Sequence, residues 1–133
     1  MQAMARETEG IELDRAKLEF GVGAALADAS LGRYLIAEAA GGGAEPVASL
    51  MLTREWSDWR GAWYLWIQSV YVRPEWRGRG AYRAMHARVM QLAREEGAFE
   101  VRLYVAEENT GAQRTYERVG MKKSNYVMYE EEV

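Results

Sequence analysis

The sequence predicts a mixed α/β domain, a mostly antiparallel central sheet with helices on both faces, over one domain of residues 1–133. Three observations carry that prediction. Three strand-like runs in succession are separated by turn residues, which makes an antiparallel meander. The stretch from Trp66 to Val105 reads strand, helix, strand, and a right-handed crossover makes its two strands parallel. A second helical stretch with its own cap and stop follows that unit.

Taken in order, Asp14 is placed to cap a helix whose apolar stripe is Leu18, Val22, Ala25 and Leu26, ending near Asp28 to Gly32. Gly21 and Gly23 weaken that helix. Strands follow at Tyr34 to Ala39 and Pro46 to Arg54, joined by a turn at Gly41 to Gly43, and at Ala62 to Val72 after a polar turn around Ser57 to Gly61. From Ala81 the period becomes helical, with Ala81, Met85, Val89 and Leu92 in register and Gly97 as the stop. Phe99, Val101, Leu103 and Val105 then alternate with Glu100, Arg102 and Tyr104, a strand signal. Asn109 is a capping residue for a helix bearing Ala112, Tyr116 and Val119, closed by Gly120, and a last strand is expected near Tyr126 to Glu130.

Composition removes several classes of function. The chain has no Cys and a single His, His86, so neither a disulfide framework nor a thiolate metal site can form, and no metal is expected. That usage suits a reducing, cytoplasmic setting. No apolar run approaches the roughly 20 residues of a membrane span, and the net charge of −3 offers no global field for nucleic acid. His86 reads as a surface or helix-face residue, and Glu130 to Glu132 as a solvated tail.

Against that acidic background, the run V-R-P-E-W-R-G-R-G-A-Y-R at residues 72–83 concentrates Arg and Gly in a strand-to-helix turn. Such a turn presents unpaired N–H groups at the positive end of a helix dipole, a ready anion site. Gly78 and Gly80 let the backbone curl, and Arg77 and Arg79 add charge. No Lys-Ser or Lys-Thr pair follows Gly80, and the G-x-G-x-x-G pattern is absent, so neither common nucleotide loop applies. The loop alone serves equally as a phosphate cradle or as a turn with solvated arginines.

Two stretches together are more specific. Val70-Tyr71-Val72-Arg73-Pro74 with Arg77-Gly78-Arg79-Gly80-Ala81 resembles the acetyl-CoA loop of the GCN5-related N-acetyltransferases (GNAT), with Arg77, Gly80 and Tyr82 at its pattern positions. Asn109, Ala112, Tyr116, Gly120 and Met121 are similar to that family's second signature, with Met for its final Phe. The resemblance covers about Tyr34 to Tyr129.

It implies an acyl-CoA-dependent N-acyltransferase: acetyl passes from acetyl-CoA to a primary amine of a small molecule or peptide by direct attack in a ternary complex. It implies further that Val70, Tyr71, Val72, Arg77, Gly78, Arg79, Gly80, Ala81, Tyr82, Asn109 and Tyr116 contact coenzyme A. The pyrophosphate lies on the N–H groups of Gly78 to Tyr82, and the pantetheine arm pairs with the backbone of Val70 and Val72. The Val70 N–H serves the developing oxyanion, and Tyr116 returns a proton to the departing thiolate. Tyr82 stands where the family carries Gly or Ala, so only its backbone belongs on the phosphate and its ring turns away. Tyr116 also falls on its helix's apolar stripe, i+4 from Ala112, where a plain core residue is the rival reading.

Some members carry a Glu base four residues before the position of Val70, where this chain has Trp66. Gln68 can hold a water or orient the amine, and Glu38 on a neighbouring strand is another candidate for the proton. Trp56, Trp59 and Trp66, with Glu55 and Asp58 among them, are placed to hold a cationic amine, although aromatics there also fill the core and cover the turn. Family members open with a strand and a full helix before the one capped at Asp14; here the first strand is missing and residues 1–10 supply only the end of that helix. Tyr34 to Ala39 is then left as an open edge, which pairing in a homodimer would cover. A non-catalytic, regulatory CoA-binding module is the alternative reading, favoured by Trp66 in place of a base.

Overall fold

A computed structural model describes residues 1–133 with the exception of Glu9 and Gly42, so the middle of the expected glycine turn lies outside the described residues. The elements are α1 (Gln2–Thr8), α2 (Arg15–Ala27), β1 (Arg33–Glu38), β2 (Pro46–Ser57), β3 (Ala62–Val72), a 3₁₀ turn at Pro74–Trp76, α3 (Ala81–Glu95), β4 (Ala98–Arg102) and α4 (Thr110–Arg118). The sheet has the order β1-β2-β3-β4. Its first two junctions are antiparallel and the β3–β4 junction is parallel, as the meander and crossover require.

The core forms where α3 lies on the sheet. Ala48, Leu50 and Leu52 of β2 and Leu65 and Ile67 of β3 alternate inward, as a pleated strand dictates, and meet Tyr82, Met85, Val89 and Ala93 of α3. The spacing of those α3 residues is an inward face recurring every three or four positions. That face is centred one position away from the stripe read in the sequence: Ala81 and Leu92 are only half-buried, while Tyr82 and His86 are buried. The surface placement expected for His86 is therefore corrected. One turn after Tyr82, it faces the sheet with that ring beside it.

Asp14 caps α2 through Oδ1, which accepts from the N–H groups of Ala16 (2.9 Å) and Lys17 (3.2 Å). The stripe expected along α2 is not buried as a stripe: only Ala25 is, and Leu26 remains 71% exposed. Its main support among the described residues is the edge strand β1, too narrow to cover two turns of apolar residues.

At the other end, the expected strand near Tyr126 to Glu130 does not form. A turn is closed there by Ser124, whose Oγ accepts from the Tyr126 N–H, and Tyr126, Val127 and Tyr129 are exposed. Strand propensity alone does not make a strand; the segment has no ladder partner among the described residues.

Candidate active site

The middle of β3 carries a β-bulge. Gln68 pairs with Met51 and Tyr71 with Ser49, so that Leu50 is opposed by two residues, Ser69 and Val70. Ser69 takes φ 51°, the one non-glycine positive φ among the described residues, at a cost of roughly 1–3 kcal/mol. The extra residue resets the alternation. Before it, Leu65 and Ile67 point into the core; after it, Val70 and Val72 pack against the same core.

Pairing of β3 with β4 stops at Trp66↔Arg102. The strand expected to reach Val105 ends at Arg102, because the bulge bends and twists β3 away from its parallel neighbour. Beyond that point β3 runs on to Val72 with no strand on that side among the described residues. Which peptide groups look into the gap follows from their neighbours. The Arg73 N–H donates to the Val47 carbonyl on the β2 side (2.9 Å), so the groups of Val72, and by alternation of Val70, face the opening. Arg77 Nε, which donates to the Val72 carbonyl at 3.0 Å, already uses one of them. An extended arm laid in the gap would meet the remaining groups as an added strand does.

The gap leads to the start of α3. Gly80 is the N-cap at φ 84° and supplies no side-chain cap; Gly78 has φ 71°. The first intrahelical bond runs from the Ala84 N–H to the Gly80 carbonyl, so the N–H groups of Ala81, Tyr82 and Arg83 lie at the unsatisfied, positive end of the helix. The two arginines divide the work. Arg77 is held by the Glu7 carboxylate of α1 and lies over the Tyr71 ring at 5.9 Å, which ties the N-terminal helix to the loop. Arg79 rests on Trp76 at 5.4 Å and has no carboxylate partner among the described residues. A loop of unpaired N–H donors with one unmatched guanidinium fits a phosphate-bearing ligand.

Tyr82 joins this loop to α4. Its side chain is only 6% exposed, and its ring meets Tyr116 edge-on at 5.3 Å. The ring has turned inward, so the backbone is what Tyr82 presents to the loop. Its hydroxyl is buried without a hydrogen-bond partner among the described residues, and burial pushes the phenol well above its ordinary range. Burial also raises the pKa of Tyr116, which sits half-buried against the core and stays protonated through neutral pH. Asn109 caps α4, its Oδ1 accepting from the Ala112 N–H at 3.1 Å, a bond that engages the amide oxygen and not the NH₂ donors.

The sheet face opposite α3 is polar and aromatic. Glu55 Oε2 accepts from the indole N–H of Trp66 (2.6 Å), and Gln68 Nε2 donates to Thr53 Oγ1 (2.6 Å). Tyr104 stands 6.3 Å from Trp66, and Arg102 lies over Tyr64 at 3.5 Å with Glu100 beside it. The three tryptophans expected to share an amine site do not converge. Trp56 points to the α3 side, edge-on to Trp63, and Trp59 is 92% exposed in the turn. Only Trp66 lies on the face with Gln68. The Glu55–Trp66 pairing and the place of Tyr104 were not read from the sequence; the signal was the diagonal register of β2 on β3, which a strand pattern without exact pairing does not give. Further along this face, past the bulge, Ile36, Val47, Ser49, Tyr71 and Arg73 line a hollow of about 290 Å³.

Among the described residues no group of three His, Cys, Asp or Glu could hold a metal ion, and no helix is long and apolar enough to cross a membrane.

Comparison with known proteins places this architecture. The family described as Acetyltransferase (GNAT) family matches residues 3–121. A solved structure described as a possible acetyltransferase from Clostridium difficile 630 is 41% identical and superposes with a TM-score of 0.89 over 99% of this chain and 86% of its own. Among curated proteins, an uncharacterized N-acetyltransferase of Methanocaldococcus jannaschii is 34% identical over 61 residues, which are 46% of this chain and 27% of that protein. The thialysine N-epsilon-acetyltransferase of Bos taurus is 31% identical over 65 residues, 49% of this chain and 38% of that protein. The matched stretches thus span about a quarter to two fifths of the curated relatives' lengths.

Proposed function

We propose, for a chain that belongs to the acetyltransferase (GNAT) family, that it is an N-acetyltransferase moving acetyl from acetyl-CoA to the primary amine of a small molecule or peptide within a ternary complex. The observation that carries this reading is the continuity of two features: the opened edge of β3 at Val70 and Val72 runs directly into the uncapped start of α3.

When bound, acetyl-CoA supplies a thioester whose carbonyl carbon a neutral amine attacks, forming the C–N bond as the C–S bond breaks with its electron pair on sulfur. The N–H groups of Gly78 to Tyr82, with Arg79, hold the phosphates, and Arg77 fixes the loop to α1 rather than spending its charge on the ligand. Val70 and Val72 hold the arm, and the Val70 N–H faces the oxygen on which negative charge develops. Tyr116 gives its phenolic proton to the leaving sulfur, and the proton shed by the amine restores the balance through solvent. A phenol with a raised pKa is kept loaded for that step. Gln68, held by Thr53, orients the amine or a water beside the transfer point. The curated relative that acts on thialysine supports an amine acceptor.

The chain works in the cytoplasm, without nucleic acid or membrane, and as a homodimer through the open edge of β1, a strand paired among the described residues with β2 alone.

The test is release of free thiol from acetyl-CoA, with mass detection of product, over a panel of primary amines. Wild type is expected to acetylate at least one amine, and Tyr116→Phe to lose about 10²-fold in kcat with CoA affinity kept. Tight CoA binding with no turnover on any amine would overturn the transferase reading in favour of a regulatory module, the role to which Trp66 in place of a Glu points.

A further inference from the structure

Tyr82 carries a hydroxyl that its packing does not explain. The residue is 6% exposed and lies in the core with Met85 and Val89, a place that the ring of a Phe would fill as well. The hydroxyl is buried with no hydrogen-bond partner among the described residues, and an orphaned buried donor costs stability. His86, one turn along, is the other polar side chain on the buried face of α3, and it leaves the hydroxyl unbonded. Tyr116 is what stands against the Tyr82 ring, edge-on at 5.3 Å, with Tyr82 the deeper of the two and Tyr116 half-buried.

In the transfer proposed above, Tyr116 gives its proton to the departing sulfur and is left as a phenolate in a place where burial already disfavours the charged form. A charge that exists only during the step is best met by a donor already in place and otherwise idle. We infer that Tyr82 is a positioning residue for that step: its buried, unpartnered hydroxyl directs its O–H to the Tyr116 oxygen as Tyr116 becomes a phenolate, and so assists protonation of the leaving thiolate. This rests on the transferase reading above. No proton leaves Tyr82. The Tyr116 O–H bond breaks as the S–H bond forms, Tyr82 keeps its hydrogen and shares it as a hydrogen bond, and the proton shed by the amine returns Tyr116 to the phenol.

Three features fit. A hydroxyl hydrogen rotates about the C–O bond, so the donor turns toward a new acceptor without moving the packed ring. That ring is held on one side by the core and on the other by Tyr116 itself, which keeps the two side chains together through the step. Burial raises the pKa of Tyr82, and a negative charge on Tyr116 raises it further, so Tyr82 is still an O–H donor at the moment when Tyr116 is ionised.

The experiment is a double-mutant cycle on kcat, with acetyl-CoA and an amine that wild type acetylates, over Tyr82→Phe, Tyr116→Phe and the double variant. CoA titration and thermal unfolding accompany each protein. Tyr82→Phe keeps the ring and loses one oxygen. It is expected to lower kcat about tenfold, the worth of one hydrogen bond to a charged group, with CoA affinity held and an unfolding temperature equal to wild type or higher. In the Tyr116→Phe background the same change should leave kcat where it was, because the group it serves is gone. An unchanged kcat in Tyr82→Phe would overturn the inference and leave the transferase intact. So would an equal loss in both backgrounds, or a loss that tracks lowered CoA affinity or unfolding temperature, either of which makes Tyr82 a packing residue only. Full kcat in Tyr116→Phe would remove the acid role and this inference together, with the transferase still standing. If wild type acetylates no amine, the transferase reading falls and takes this inference with it.

Discussion

Tyr82, Tyr116 and His86 show how single residues do double duty here. Tyr82 occupies the helix start with its backbone and fills the core with its ring, and that ring is what Tyr116 rests on. A change of the Tyr82 side chain would thus act on Tyr116, the proposed proton donor, through the ring contact. His86, the only histidine, lies 6.0 Å from the Tyr82 ring and is 8% exposed, and burial holds its pKa below the usual 6.5. Because the folded form resists protonation, its contribution to stability is present above about pH 6.5 and is lost as pH falls through that value and below. Proton NMR should give one titrating imidazole with a midpoint under 6.5; a midpoint at or above 6.5 would show His86 solvated. At this scale the sequence was legible where spacing is local. Asp14 and Asn109 cap the helices that they precede. It was not legible for His86 or for the Glu55–Trp66 pair, whose surroundings come from other elements.

Among the elements, β3 decides the most. Its bounds follow from the turn residues on either side, yet its bulge has no local signature, since a serine rather than a glycine stands at the positive-φ position 69. The bulge also accounts for the early end of β4. The loop into α3 was the better-marked element, because Gly78 and Gly80 both need positive φ and are both glycine. The β1 edge carries the prediction about assembly. Ile36 is 60% exposed on a strand with one neighbour, and no second strand among the described residues pairs with its free ladder. Light scattering at tens of micromolar should give twice the chain mass, and Glu38→Pro, which removes an N–H from the edge, should shift the mass toward the monomer. A monomeric mass for wild type would contradict the dimer.

For the molecule as a whole, the fold was legible because its long-range order repeats what is local: hairpin strands pair with their neighbours, and a strand-helix-strand unit closes in parallel. The tail was misread for the opposite reason, since the Tyr126 to Glu130 segment has the residues of a strand but no partner. The parts of the site that depend on the whole are the ones that converge only in space: the gap beside β3, the start of α3, and α4 bearing Tyr116. The claim that this convergence holds coenzyme A is tested most directly by calorimetric titration of CoA into the full chain and into Gly80→Val. A β-branched residue at φ 84° is strained by roughly 1–3 kcal/mol and displaces the backbone donors. Binding of one CoA per chain by wild type, abolished in a Gly80→Val protein that still unfolds cooperatively, is the predicted result; no binding by wild type, or equal affinity in the two, would contradict it.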